Sequence, residues 1–178
     1  MKKTIVSLFA VFTAATVIAG PMEQGMYEVR TEAGHGFDSY ASVALIGGLG
    51  YFVTDNIAVG ALVSFEKMEW ESYWGKSDLW GLGGYAEYTF DLDNVFYPFA
   101  GAQVLFYSGN QNMYEEDMVP VFSLSGGFKA MVNDIVALTL RGNINFAGEE
   151  IFRIERPDDT DGKSVGFSIA AGVSFMLR

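Results

Sequence analysis

The feature that most constrains this chain is a two-residue alternation of side-chain character that recurs in eight segments, with connectors that are long and short by turns. Period-two alternation sends successive side chains to opposite faces of a β-strand. Strands are expected at 26–33, 41–52, 57–69, 78–90, 95–108, 119–131, 135–147 and 164–177. The second, fourth and sixth connectors (53–56, 91–94 and 132–134) are short and centre on Asp and Asn, residues that tolerate left-handed backbone and cap their own turns. The odd connectors, 34–40, 70–77, 109–118 and 148–163, are longer. In an up-and-down barrel even connectors share one rim and odd connectors the other, so short turns and both chain ends fall at the same rim. The fold class expected is therefore all-β, an eight-stranded antiparallel up-and-down barrel. Composition agrees: glycine is frequent at 21 residues and proline scarce at 4, which favours strands joined by tight turns.

Strand length points to a bilayer. Soluble strands average roughly 5–6 residues, whereas a tilted strand crossing a membrane needs about 9–11, and most of these segments are longer still. Along the last segment Val165, Phe167, Ile169, Ala171, Val173, Phe175 and Leu177 share one face, opposite Ser164, Gly166, Ser168, Ala170, Gly172, Ser174 and Met176. The seventh sets Val136, Leu138, Leu140, Ile144 and Phe146 against Thr139, Arg141, Asn143 and Asn145. The small and polar face is too lean to supply a soluble core, so the bulky face is assigned to lipid and the small face to the lumen. Eight strands leave a lumen only wide enough for side chains. The charges expected there are Glu28, Arg30, Glu32, Glu66, Glu87, Lys129 and Arg141, forming a paired network because buried charges must be matched. Aromatics near the segment ends, among them Tyr51, Trp70, Trp74, Trp80, Tyr88, Tyr97 and Tyr107, are expected to form the interfacial girdles of a membrane barrel.

The amino terminus reads as an export leader: Met1-Lys2-Lys3, an uncharged apolar run to Ile18, and Val17 and Ala19 at the −3 and −1 places of a small-residue cleavage site. A signal peptide over 1–19 and a barrel domain over 20–178 are expected. The formal net charge is −11, and without Lys2 and Lys3 it becomes −13, which disfavours nucleic-acid binding. The chain has no cysteine, which excludes disulfides and thiolate metal sites.

The passage Gly50-Tyr51-Phe52-Val53-Thr54-Asp55-Asn56-Ile57-Ala58-Val59-Gly60 resembles the second-to-third strand hairpin of small outer-membrane β-barrel proteins, the OmpX, OmpA-barrel and OmpW-like group. Tyr97-Pro98-Phe99-Ala100-Gly101 resembles the opening of their fifth strand. Gly172, Phe175 and Leu177 resemble their carboxyl-terminal assembly signal, although Arg178 follows where that signal ends in an aromatic residue. The resemblance implies a monomer in the bacterial outer membrane, in contact with lipid including lipopolysaccharide. It also implies periplasmic chaperones and barrel-assembly machinery during biogenesis, and a host-surface ligand as a candidate partner of the outer loops. A structural or adhesion-type role is expected, with a plugged lumen and no cofactor or metal.

Two alternatives remain at this level. One is a narrow channel. The other is a lipid A-modifying enzyme of acyltransferase or deacylase type at the outer rim, using His35, the only histidine, with Ser39 or Ser77 and Asp38 or Asp78. General-base chemistry requires the imidazole within hydrogen-bond reach of the hydroxyl. The acidic loop containing Glu149, Glu150, Glu155, Asp158, Asp159 and Asp161 reads as a solvated loop, since the calcium-loop fragment at 159–162 lacks its terminal bidentate acid.

Overall fold

The computed structural model describes residues 22–36, 42–69, 76–92, 95–109, 118–147, 152–153 and 162–178. The expected leader, Asp38, Ser39, Trp70, Trp74 and the loop acids of 148–151 and 154–161 lie outside the described residues.

The strands are β1 (Tyr27–Gly36), β2 (Ser42–Phe52), β3 (Ile57–Glu69), β4 (Lys76–Thr89), β5 (Phe96–Gly109), β6 (Val119–Met131), β7 (Val136–Ala147), β8 (Phe152–Arg153), β9 (Gly162–Lys163) and β10 (Val165–Leu177). Eight of them form one closed antiparallel barrel in the order β1-β2-β3-β4-β5-β6-β7-β10, and β10 pairs back onto β1 from Tyr27 opposite Leu177 to Gly36 opposite Ser168. Closure removes the unpaired edges that an open sheet would present. The short β8 and β9 form a separate two-stranded ladder in the last long connector, where the sequence pattern suggested only an irregular acidic loop. β1 also runs past Ala33, so His35 belongs to the ladder opposite Val43 and Ile169 rather than to a loop. Gly34 and Gly36 do not break the strand there. They fall on the inward phase, where a Cβ at Gly34 would lie 3.2 Å from the Ile169 carbonyl oxygen.

The short turns close through local side chains. Thr54 Oγ1 accepts from the backbone N–H of Asn56 (3.3 Å) and Ile57 (3.0 Å). Asn133 Oδ1 accepts from Ile135 N–H (2.9 Å) and Val136 N–H (2.8 Å). In the first turn the neighbouring Asp55 and Asn56 serve other segments. Asp55 Oδ1 accepts from Gln24 N–H at 2.8 Å, and Asn56 Nδ2 donates to the Thr89 carbonyl at 2.9 Å. Residues 22–26 thereby fold under the barrel through Gly25, whose φ of 92° suits a residue without Cβ.

The two faces of the wall differ throughout. Outward positions carry large apolar side chains around all eight strands, including Leu45 (60% exposed), Phe65 (60%), Leu82, Phe106, Phe122, Leu140 and Phe167. The interior is bulkier than a lumen of glycine, serine and alanine. Near the short turns it packs Met22, Met26, Phe52, Tyr97, Met131 and Met176 into an apolar cap beside Leu62 and Tyr85. These fit because glycines face them: a Cβ at Gly50 would collide with the Tyr85 hydroxyl, and one at Gly60 would come within 2.6 Å of the Tyr85 ring.

This steric pairing is testable by urea unfolding in lipid or detergent. Gly50→Ala is expected to cost about 1–3 kcal/mol by overpacking. In combination with Tyr85→Leu, the loss should fall short of the sum of the two single losses.

Candidate functional site

Above the apolar cap lies a cluster of six buried charges, each placed by strand alternation. Glu28, Arg30 and Glu32 take the inward phase of β1; Glu87, Lys129 and Arg141 come from β4, β6 and β7. All six are at most 3% exposed. Three of them have small cross-strand neighbours on both sides: Gly48 and Ser174 flank Arg30, Ala58 and Gly101 flank Glu87, and Gly127 and Ala170 flank Arg141. Long side chains can therefore extend across the lumen instead of folding along the wall.

Glu87 is the hub. Its Oε1 lies 2.6 Å from Lys129 Nζ, and its Oε2 lies 2.8 Å from Arg141 Nη2 and 3.4 Å from Arg30 Nη1. Lys129 Nζ also pairs with Glu28 Oε1 at 2.8 Å. Arg141 Nε donates to both Glu32 oxygens, at 3.2 and 3.1 Å, and its Nη1 donates to Ser125 Oγ at 3.1 Å. Tyr85 OH donates to Glu28 Oε2 at 3.3 Å. Aromatic faces complete the enclosure, with the Arg30 guanidinium 3.7 Å from the Tyr85 ring centre and that of Arg141 4.5 Å from the Phe99 ring centre. Three carboxylates face three cations, so the cluster is electrically balanced within itself. It joins β1 to β4, β4 to β6 and β7, and β6 to β1, bracing the wall from inside.

Toward the long connectors β6, β7 and β10 add neutral polar side chains to the lining, beside the inward Glu66 and the buried Leu79, Val119 and Val121. Ser123 Oγ donates to Asn145 Oδ1 (2.8 Å), and Asn143 and Asn145 donate to Ser168 Oγ (3.1 and 3.2 Å). Below the charged cluster the lumen ends in the apolar cap at the short-turn rim.

Of the residues singled out from sequence, Glu28, Arg30, Glu87, Lys129 and Arg141 meet in this cluster, together with Glu32. Glu66 is on the inward phase but lies nearer the long-connector rim, level with Ala44 and Leu79, and is half-buried. Tyr51, Trp80 and Tyr88 are exposed on the outer wall. Tyr97 and Tyr107 are corrections to the expected girdle. Tyr97 is 4% exposed inside the apolar cap, and Tyr107 points inward, its OH donating to Ser64 Oγ at 3.4 Å. On β5 the inward phase runs through Tyr97, Phe99, Gln103 and Leu105, so alternation outweighs position near a strand end. The same phase rule, applied to β4 from Glu87, would have found Tyr85. Phe175 and Leu177 of the candidate assembly signal face outward, and Gly172 faces inward beside Glu32. His35 is exposed on the outer phase, and Asp78 is exposed beside Lys67 (4.0 Å).

The cluster holds bases and acids already matched to one another. Its ion pairs tie β1, β4, β6 and β7 to one another across the lumen. Removing one partner leaves the others uncompensated, so Lys129→Met should destabilise the barrel by about 3–5 kcal/mol. Adding Glu28→Gln restores the balance of charge, and this double variant should unfold at a higher urea concentration than Lys129→Met alone.

No protein-family model matches the sequence, and no curated protein matches it. Solved structures do. The chain is similar to the N-terminal β-barrel domain of Pseudomonas aeruginosa OprF (15% identity, 86% of this chain and 98% of that one, TM-score 0.58). It is also similar to Neisserial surface protein A (16%, 84% and 94%, TM-score 0.59) and to the P. aeruginosa outer membrane protein OprG (10%, 90% and 99%, TM-score 0.59). At these identities the shared property is architecture: the chain has the fold of small eight-stranded outer-membrane β-barrels.

Proposed function

We propose that this protein is an integral barrel of the bacterial outer membrane, sealed along its axis, that presents its long connectors at the cell surface for structural or adhesive contacts. The observation that carries this reading is the inversion of the wall. Large apolar side chains face outward on every strand of the barrel, while six buried charges are matched within the lumen. Soluble monomers rarely expose apolar patches beyond a few hundred Å², and hydrocarbon is the solvent that suits such a surface. The fold shared with outer-membrane barrels supports the same location. With short turns periplasmic, the odd connectors point away from the cell, and connectors on a rigid scaffold are where binding usually resides.

The apolar cap of Met22, Met26, Phe52, Met131 and Met176, stacked below the ionic cluster, supports a plugged lumen over a conducting one. The reading is tested on purified protein in planar bilayers and on cells carrying variants with each long connector shortened. Bilayers should show no steady conductance, and at least one shortened connector should lower adhesion to host cells while the boiled and unboiled protein still differ in electrophoretic mobility. Sizeable steady conductance would contradict the seal, and adhesion unchanged by every shortening would reduce the role to a structural one.

A further inference from the structure

At the short-turn rim, away from the lumen cluster, a recess of about 230 Å³ is bordered by Glu23, Asp55, Asn56, Thr89 and Asp91. We propose that this recess binds an organic cation through its ammonium or guanidinium group. Three carboxylates border a space too small for a drug-sized ligand but adequate for a charged head and a few carbons. Met22 and Tyr97 supply an apolar wall for those carbons.

The floor is built independently of the acids. Thr89 N–H donates to the Asn56 carbonyl at 2.8 Å, and Asn56 Nδ2 donates to the Thr89 carbonyl at 2.9 Å, so the Thr89 backbone is fixed from both sides. The side chain is not: Thr89, which borders the recess, is 2% exposed, and its Oγ1 has no hydrogen-bond partner among the described residues. A buried hydroxyl without a partner costs free energy that a ligand N–H would recover. The acids have partners of their own. Asp55 Oδ1 accepts from Gln24 N–H at 2.8 Å, and Glu23 Oε2 lies 3.1 Å from Arg178 Nη2. A carboxylate offers about four acceptor sites on its two oxygens, so each keeps capacity toward a further donor.

The donor set favours a nitrogen cation over a metal ion. Among the described residues no group of three or more His, Asp or Glu side chains stands close enough to hold a metal. An ammonium or guanidinium group instead spreads its N–H donors over carboxylate, hydroxyl and amide acceptors at ordinary hydrogen-bond distances. A free diamine and a lysine side chain of a peptide carry the same head.

The test is a titration of the folded protein in detergent micelles, read by NMR at the Thr89 methyl and Asn56 amide. Probes are cadaverine, a blocked lysine tripeptide, magnesium chloride, and sodium chloride at matched ionic strength. The expected result is a saturating shift with cadaverine, about tenfold weaker in Asp91→Asn and in Thr89→Val. Glu23→Gln is a third variant, and the mobility shift on boiling verifies that each is folded. Saturation by both amines assigns the site to the shared head, and saturation by cadaverine alone assigns it to a free amine. Shifts no different from sodium chloride, saturation by magnesium but not by amines, or undiminished binding in all folded variants would overturn the proposal.

Discussion

A barrel of eight strands has room at its centre for side chains and for little else, so every charge that points inward must find its counter-charge among the others that do. That constraint explains why Glu87 is contacted by Lys129, Arg141 and Arg30, and why Glu28 and Glu32 balance the two cations that one carboxylate cannot. It also explains the distribution of glycine. Gly48 makes room for Arg30, Gly50 and Gly60 for Tyr85, and Gly127 for Phe99, so these three long inward groups lie against positions with no side chain. An apolar replacement of similar volume could fill the same space, so the ionic solution is best understood as bracing distant strands in one register. Strands three apart in the barrel order are tied by single side chains.

The outer wall follows from the same geometry. A period of two means that whatever is inward on a strand fixes what is outward, and a one-residue slip would put Arg141 and Lys129 on the outer wall. Register is therefore strongly specified by the charges, and closure of β1 onto β10 completes it. What is shared with OprF, Neisserial surface protein A and OprG is this architecture, and an architecture does not by itself fix a function.

Much of this was legible in the residues alone. The β3 and β6 boundaries coincide with those expected from alternation, and β2, β4, β5, β7 and β10 differ by one or two residues. The inward charges on β1, β4, β6 and β7 could be named because a charge in an otherwise apolar alternating strand has one phase open to it. Aromatic residues were less legible. Phe52, Tyr97 and Tyr107 sit near strand ends, where girdle residues belong, yet their phase is inward and they pack the lumen. An aromatic ring is at home in either environment, so residue type does not decide and only strict phase counting does. β8 and β9 escaped notice because two residues are too few to show a period. The recess at the short-turn rim escaped it because Glu23, Asp55 and Asp91 come from three separate segments.

The central claim is that bulky side chains look at lipid while matched charges and the apolar cap fill the axis. Spin-label scanning along β10 measures this directly, because a chain without cysteine accepts single cysteines at will. In lipid vesicles, labels at 167, 169, 173 and 175 should be accessible to oxygen dissolved in the bilayer, while labels at 170 and 174 should be immobile and reached by neither oxygen nor a water-soluble nickel reagent. Accessibility with the opposite phase, or a mature protein that stays monomeric in water with Phe167 and Ile169 protected, would contradict it.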